Sequence, residues 1–164
     1  MRPYNWKSRA EARGINKIVI ASTKGNTARA AMEVFANTDI KLVIVPWQFG
    51  FMGQNQPFPQ ELIPELEAKG HQVYFGTMLF HTEEFYGNNA PRAMASLLRA
   101  FSQGVKVGVE ILLMAANGGA VESGEKVIAV AGTISGADTA ILATAAPSAK
   151  LGEFHISEII CKPL

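Results

Sequence analysis

Residues 17–35 read KIVIASTKGNTARAAMEVF, and this run indicates how the chain folds. Residues 18–21 are apolar and predict a buried strand, and residues 22–27 form a short polar loop. A helix is expected next, and its apolar face carries Ala28, Ala31, Met32 and Phe35. This order of strand, hydroxyl-rich loop and helix directs several backbone N–H groups toward one point in solvent. Such a point attracts anions. We interpret the loop as a phosphate-binding site; the alternative is a plain strand-to-helix turn, since Walker A spacing is absent.

Length and composition restrict the class of protein. The 164 residues suit a single domain, 1–164, with a three-layer α/β core. A net charge of +1 with 18% charged residues predicts no nucleic-acid partner, because such proteins usually carry a basic face. The single cysteine, Cys161, excludes an intrachain disulfide framework and favours a reducing compartment. Residues 1–14 lack the apolar run of a signal peptide, and the run 107–116 is too short to span a membrane, so we predict a cytoplasmic protein without membrane contact.

Several further segments have regular patterns. We predict a short N-terminal helix at 8–13, then helices at 60–69, 90–101 and 104–116. Strands are predicted at 41–45, 72–75, 125–131 and 139–144, with a candidate edge strand at 154–161. Residues 47–59 and 76–89 are irregular, and the aromatic, glycine-punctuated loop at 47–59 either covers a planar ligand or packs onto the core.

The succession of strands and helices predicts an open α/β sheet with helices on both faces. The strands 125–131 and 139–144 are joined by a short glycine and hydroxyl loop, 132–138, and are expected to form an antiparallel hairpin. In open α/β sheets ligands bind beyond the carboxyl ends of the strands, where the strand order reverses. If the first and fourth strands are neighbours, the two glycine loops face each other across that crevice.

Few side chains suggest catalysis. Glu110 is a carboxylate in an otherwise apolar helix, and we expect it either to pair with Lys106 one turn earlier or to serve a ligand. The histidines His71, His81 and His155 lack metal-ligand spacing, so no metal site is predicted. Cys161 is interpreted as a small buried residue. No catalytic acid, base or nucleophile is assigned, and whether the protein is an enzyme is left undecided.

A family resemblance extends this interpretation. The segments IASTKGNTAR (20–29) and VAGTISGADT (130–139) resemble the C-terminal domain of pyruvate kinase, and more closely a free-standing single-domain family of that fold from archaea and some bacteria. Residues 104–116 and 158–163 are also similar to that family. The resemblance implies a three-layer α/β/α sandwich with a mixed five-stranded sheet of order 3-2-1-4-5, in which the fifth strand is antiparallel.

The resemblance also implies a ligand. In pyruvate kinase the corresponding loops hold the phosphates of a sugar bisphosphate activator, whereas members of the free-standing family resemble FMN binders. If the binding roles of the family are transferred to the matching positions of this sequence, the first loop would hold the phosphate and the second would line the opposite wall. The aromatic loop would touch a ring. These residues are Ser22, Thr23, Lys24, Gly25, Asn26 and Thr27, then Gly132, Thr133, Ser135 and Gly136, and then Gln48, Phe49, Gly50 and Phe51. Asp138 either bonds a ribityl hydroxyl or closes its turn.

Three functions follow from this expectation. The first is a binding protein for a phosphorylated small molecule, with FMN as the suspected cofactor. The second is a flavin-dependent oxidoreductase, in which the cofactor carries electrons. The third is a regulatory domain that senses a sugar phosphate. The apolar aromatic loop and the edge strand also leave room for a homo-oligomer.

Overall fold

Buried aliphatic residues form the central sheet of the protein, whose computed structural model describes residues 4–164. The six strands lie in the order β3-β2-β1-β4-β5-β6. Strands β1 to β4 are parallel, whereas β5 and β6 run antiparallel to their neighbours. The strand bounds are β1 Lys17–Ala21, β2 Lys41–Val45, β3 Gln72–Val73, β4 Lys126–Ala131, β5 Thr139–Thr144 and β6 His155–Cys161.

Helices cover both faces of the sheet. One face packs Val19, Val43 and Ala129 against a long apolar helix, and the other packs Ile18, Ile20 and their neighbours against three further helices. Burial on both faces explains why the parallel strands read as continuous apolar runs. The α-helices are α1 Tyr4–Ala12, α2 Asn26–Val34, α3 Leu62–Ala68, α4 Glu83–Tyr86, α5 Ala90–Arg99 and α6 Gln103–Asn117, and 3₁₀ helices span Leu79–His81 and Ser148–Glu153.

The predicted architecture is confirmed in its class and its strand order. The order 3-2-1-4-5 with an antiparallel fifth strand is present, but the sheet has six strands rather than five. The sixth is β6, the predicted edge strand, which pairs with β5. Its burial alternates along the strand and none of its residues is fully buried, so its sequence signal is weaker than that of the buried parallel strands.

Helix α6 lies across the sheet and is the main helix behind the parallel strands. Eleven of its residues are buried, as its nearly uniform hydrophobicity predicted. Ser102 begins it by accepting a hydrogen bond from the Val105 N–H at 3.0 Å. Gly104 allows the first turn to lie against Asp138 and Thr139, since a Cβ at this position would overlap the Thr139 side chain. Within residues 4–164, no helix is long and apolar enough to cross a bilayer.

Candidate functional site

A cavity of about 450 Å³ opens at the carboxyl ends of β1, β2 and β4. The loop after β1 and the loop after β4 form two of its sides, and α6 forms part of its inner wall. The strand order places β4 directly beside β1, so the two loops are neighbours as the sequence predicted. The order changes direction at this point, which is where ligand sites form in open α/β sheets.

The first loop is held rigidly by its backbone and by Ser22. Gly25 adopts φ +81° immediately before α2, and a Cβ there would lie 2.9 Å from Cδ2 of buried Leu62. The buried Ser22 hydroxyl accepts a hydrogen bond from the Ala28 N–H at 3.2 Å, and so replaces a conventional N-cap side chain. The N–H groups of Asn26 and Thr27 begin the helix and have no acceptor within it. These two donors therefore lie beside the cavity with no helical partner.

The second loop is closed by a side chain. Asp138 accepts hydrogen bonds from the Thr133 hydroxyl at 2.8 Å and from the Thr139 hydroxyl at 2.7 Å. A Cβ at Gly132 would overlap the carbonyl oxygen of Gly136, which shows how tightly the loop folds back on itself. Its tip is open to solvent, and Ile134 is 97% exposed. Asp138 thus closes the turn, one of the two roles considered for it, and it does not line the cavity.

Most of the predicted site residues surround one space, whereas part of the aromatic loop lies outside it. Gln48, Phe49 and Gly50 lie outside the cavity lining, whereas Phe51 and Trp47 are within it. Gln48 instead accepts a hydrogen bond from the Met78 N–H at 2.7 Å, and Phe49 packs on Phe75. Gly25 shapes the first loop without lining the cavity. The predicted residues that do line it are Ser22, Thr23, Lys24, Asn26, Thr27, Gly132, Thr133, Ser135, Gly136 and Phe51.

The inner wall contains a charged cluster that was only partly anticipated. Lys106 and Glu110 are almost completely buried, and Lys106 Nζ lies 2.5 Å from Glu110 Oε2, which confirms the predicted pairing. Lys106 Nζ also lies 3.0 Å from Nε2 of His81. All three residues line the cavity. The i, i+4 spacing revealed the pair, but nothing in the irregular segment 76–89 pointed to His81.

Burial and a neighbouring cation favour the neutral form of His81 by lowering its pKa. Loss of solvent lowers the pKa of His81 below its ordinary value, and the Lys106 charge lowers it further, against opposing effects from Glu110 and Glu83. Glu110 Oε1 accepts the Phe80 N–H at 2.9 Å, so the same carboxylate fixes the 3₁₀ helix Leu79–His81 against α6. The cluster therefore joins two elements and positions the imidazole at the cavity wall.

The geometry agrees with a comparison to known protein families. The family model described as pyruvate kinase, alpha/beta domain, matches residues 5–143 of the 164-residue chain. The match covers the first loop, α6 and the second loop. The chain belongs to this family.

Proposed function

We propose that the protein binds a phosphorylated small molecule in this cavity, with FMN as the ligand we expect first. The observation that carries the proposal is the placement of two glycine and hydroxyl loops at the ends of neighbouring parallel strands β1 and β4. The phosphate is assigned to the first loop, because only that loop leads into a helix. The N-terminus of the nine-residue α2 has a partial positive charge, which favours an anion.

The charges around the cavity support an anionic ligand. The charged side chains that line it are Lys24, Lys106 and Glu110. Glu110 is paired with Lys106, so the positive charge of Lys24 is left over. Lys24 is exposed in the first loop, and no ion pair involving it is found within residues 4–164. An approaching phosphate therefore meets a net positive field and free N–H donors.

The apolar part of the lining supports a ligand with a planar ring. Trp47 and Phe51 lie edge to face at 5.3 Å and line the cavity together with Met78, Ile111 and Met114. Cavities of about 300–1,000 Å³ suit cofactors and other small ligands, and this one falls within that range. A flavin ring uses such apolar surface, whereas a sugar phosphate does not.

Two narrower functions belong to the same proposal. A flavin-dependent oxidoreductase requires the same binding site and, in addition, turnover with a reductant such as a nicotinamide. A sugar-phosphate sensor is favoured by family membership alone, and it predicts binding of fructose 1,6-bisphosphate without flavin. We retain the cytoplasmic location, to which the lone Cys161 points, and the homo-oligomer as further predictions.

A thermal-shift titration tests the binding function. Wild-type protein stripped of flavin is titrated with FMN, riboflavin, fructose 1,6-bisphosphate and inorganic phosphate. Ligands that bind the native state raise the unfolding temperature, and the rise grows with the ratio of ligand concentration to Kd. We expect FMN to stabilise the protein strongly and riboflavin weakly.

A pair of charge reversals locates the phosphate. Lys24→Glu changes the first loop, and Lys126→Glu changes an exposed lysine at the opposite, amino end of β4. We expect the first variant to lose most of the FMN stabilisation and the second to retain it. A folded wild-type protein that responds to none of the four compounds would show that the loops are only tight turns.

A further inference from the structure

The Lys106 ammonium group has a hydrogen-bond donor left over inside the cavity wall. Its three N–H bonds meet two acceptors, Glu110 Oε2 and His81 Nε2, and no third acceptor is found within residues 4–164. The side chain is only 1% exposed, so bulk water provides little compensation. The Phe80 ring lies 5.4 Å from Nζ and shields the ammonium group further. A buried cation with a free donor is therefore poised for an acceptor that enters through the cavity.

Both partners of Lys106 accept hydrogen bonds at the atoms that face it. Glu110 uses one oxygen for Lys106 and the other for the Phe80 N–H. An ammonium group can only donate, so Nε2 of His81 accepts and the neutral ring carries its proton on Nδ1. Neither partner competes with a ligand for the third donor. The cluster holds Lys106 in place rather than neutralising it completely.

Stability alone does not account for this arrangement. A buried ion pair costs so much solvation that well-packed apolar residues usually stabilise a fold equally well. Here the pair lies in a mostly apolar helix, and both members line the cavity. A ligand-binding role explains why the charges lie at this wall.

We propose that Lys106 binds the end of the ligand that does not carry the first-loop phosphate, by donating its free N–H to an electron-rich oxygen. The inference rests on the proposed function and adds a second polar contact at the inner wall. A ring carbonyl of a flavin and the second phosphate of a sugar bisphosphate share this acceptor chemistry. Trp47, Phe51 and Met114 line the same cavity as Lys106 and the first loop, so a ligand that reaches both would also meet this apolar surface.

The test uses a double variant that removes both charges together. Lys106→Met with Glu110→Gln keeps the side-chain sizes and leaves no unpaired buried charge. Affinities are measured by calorimetry for FMN, fructose 1,6-bisphosphate and ribitol 5-phosphate, which carries the phosphate and polyol of FMN without its ring. Lys24→Glu is the matched control at the phosphate end.

We expect the double variant to bind FMN at least tenfold more weakly and ribitol 5-phosphate within twofold of wild type. Lys24→Glu should weaken all three ligands. If fructose 1,6-bisphosphate loses affinity while FMN does not, the acceptor is a second phosphate. Equal FMN and bisphosphate affinities in wild type and the folded double variant would overturn the inference and leave the proposed function standing. Parallel loss of ribitol 5-phosphate would also overturn it, by showing that the pair only maintains the cavity.

A measurement on the wild-type protein covers the case in which the double variant does not fold. Within residues 4–164 Lys106 is the lysine that is buried, so its ammonium protons should exchange slowly enough for ¹⁵N-lysine NMR. FMN or the bisphosphate should shift the Lys106 Nζ resonance, and ribitol 5-phosphate should not. An unshifted resonance at saturating FMN and bisphosphate would refute the contact. Absence of binding by all three ligands would refute the proposed function as well.

Discussion

The two glycine loops occupy equivalent places in the sheet but are built differently. The loop after β1 leads into α2, is buried at Ser22 and Gly25, and is fixed by backbone conformation and packing. The loop after β4 leads into the antiparallel β5, is exposed at its tip, and is closed by the side chain of Asp138. Equivalent positions at neighbouring strand ends therefore do not imply equivalent roles. The first loop is fixed by its backbone and by packing, whereas the second depends on one side chain.

The largest effect is expected at Gly25. Gly25→Val forces a branched side chain into φ +81° and against Leu62 and Pro59 at about 3 Å, so we expect a stability loss of about 2–4 kcal/mol. Gly50→Val is the matched control, because Gly50 has φ +74° and a Cβ added there would meet no atom within 4 Å. It should lose only the backbone contribution, about 1–2 kcal/mol. Equal losses in urea denaturation would show that packing does not hold the first loop.

Replacing one serine in each loop compares the contribution of a buried hydroxyl to stability with that of an exposed one. Ser22→Ala removes the buried acceptor of the Ala28 N–H and should cost about 1–2 kcal/mol. Ser135→Ala alters the exposed second loop and should stay within about 0.5 kcal/mol of wild type. Denaturation midpoints of the two variants measured side by side give the comparison. A larger loss at Ser135 would reverse our assignment of the rigid loop.

Removing Asp138 should loosen the second loop alone. Asp138→Ala leaves the hydroxyls of Thr133 and Thr139 without this acceptor, and we expect a loss of about 1 kcal/mol. Amide hydrogen exchange should accelerate at residues 133–136 and stay unchanged at residues 22–28. Faster exchange at both loops would mean that they are coupled rather than independent.

Mild acid should lower the stability of the protein through two histidines outside both loops, and this is the smallest effect we expect. Burial lowers the pKa of both His81 and His71 in the folded protein, so below about pH 6.5 the unfolded chain binds more protons than the folded one. Stability is thus retained above that pH and declines below it, and the decline is small because both imidazoles keep some contact with solvent. His71→Gln with His81→Gln should flatten the decline between pH 7 and 5. An unchanged slope in the double variant would assign the decline to other groups.

Local patterns were sufficient for much of this molecule. The strands β1, β2, β4 and β5, the first loop and the Lys106–Glu110 pair follow from continuous apolar runs and from i, i+4 spacing, which neighbouring residues determine. Such patterns also predicted the edge strand, although the sheet count implied by the resemblance omitted it.

The remaining features depend on contacts distant in sequence. Gln48 is turned out of the cavity by its bond to Met78, thirty residues later, and Phe49 by packing on Phe75. His81 reaches the inner wall because Glu110 holds the 3₁₀ helix that carries it. None of these contacts leaves a periodic signal in the irregular segments 47–59 and 76–89. The residues that line the cavity were therefore predicted better for the two glycine loops than for the aromatic loop.

The irregular pairing of the edge strand β6 also affects the tendency of the protein to aggregate at high concentration. Its register with β5 shifts between Ala140 and Ile141 and again between Leu142 and Ala143. Glu158 on this strand pairs with Arg13, at 2.7 Å, and Pro163 follows the strand with no N–H to donate. Irregular, charged edges that end in proline are poor templates for a strand from another chain. We therefore expect this edge to resist aggregation by strand addition and any homo-oligomer to form through another surface.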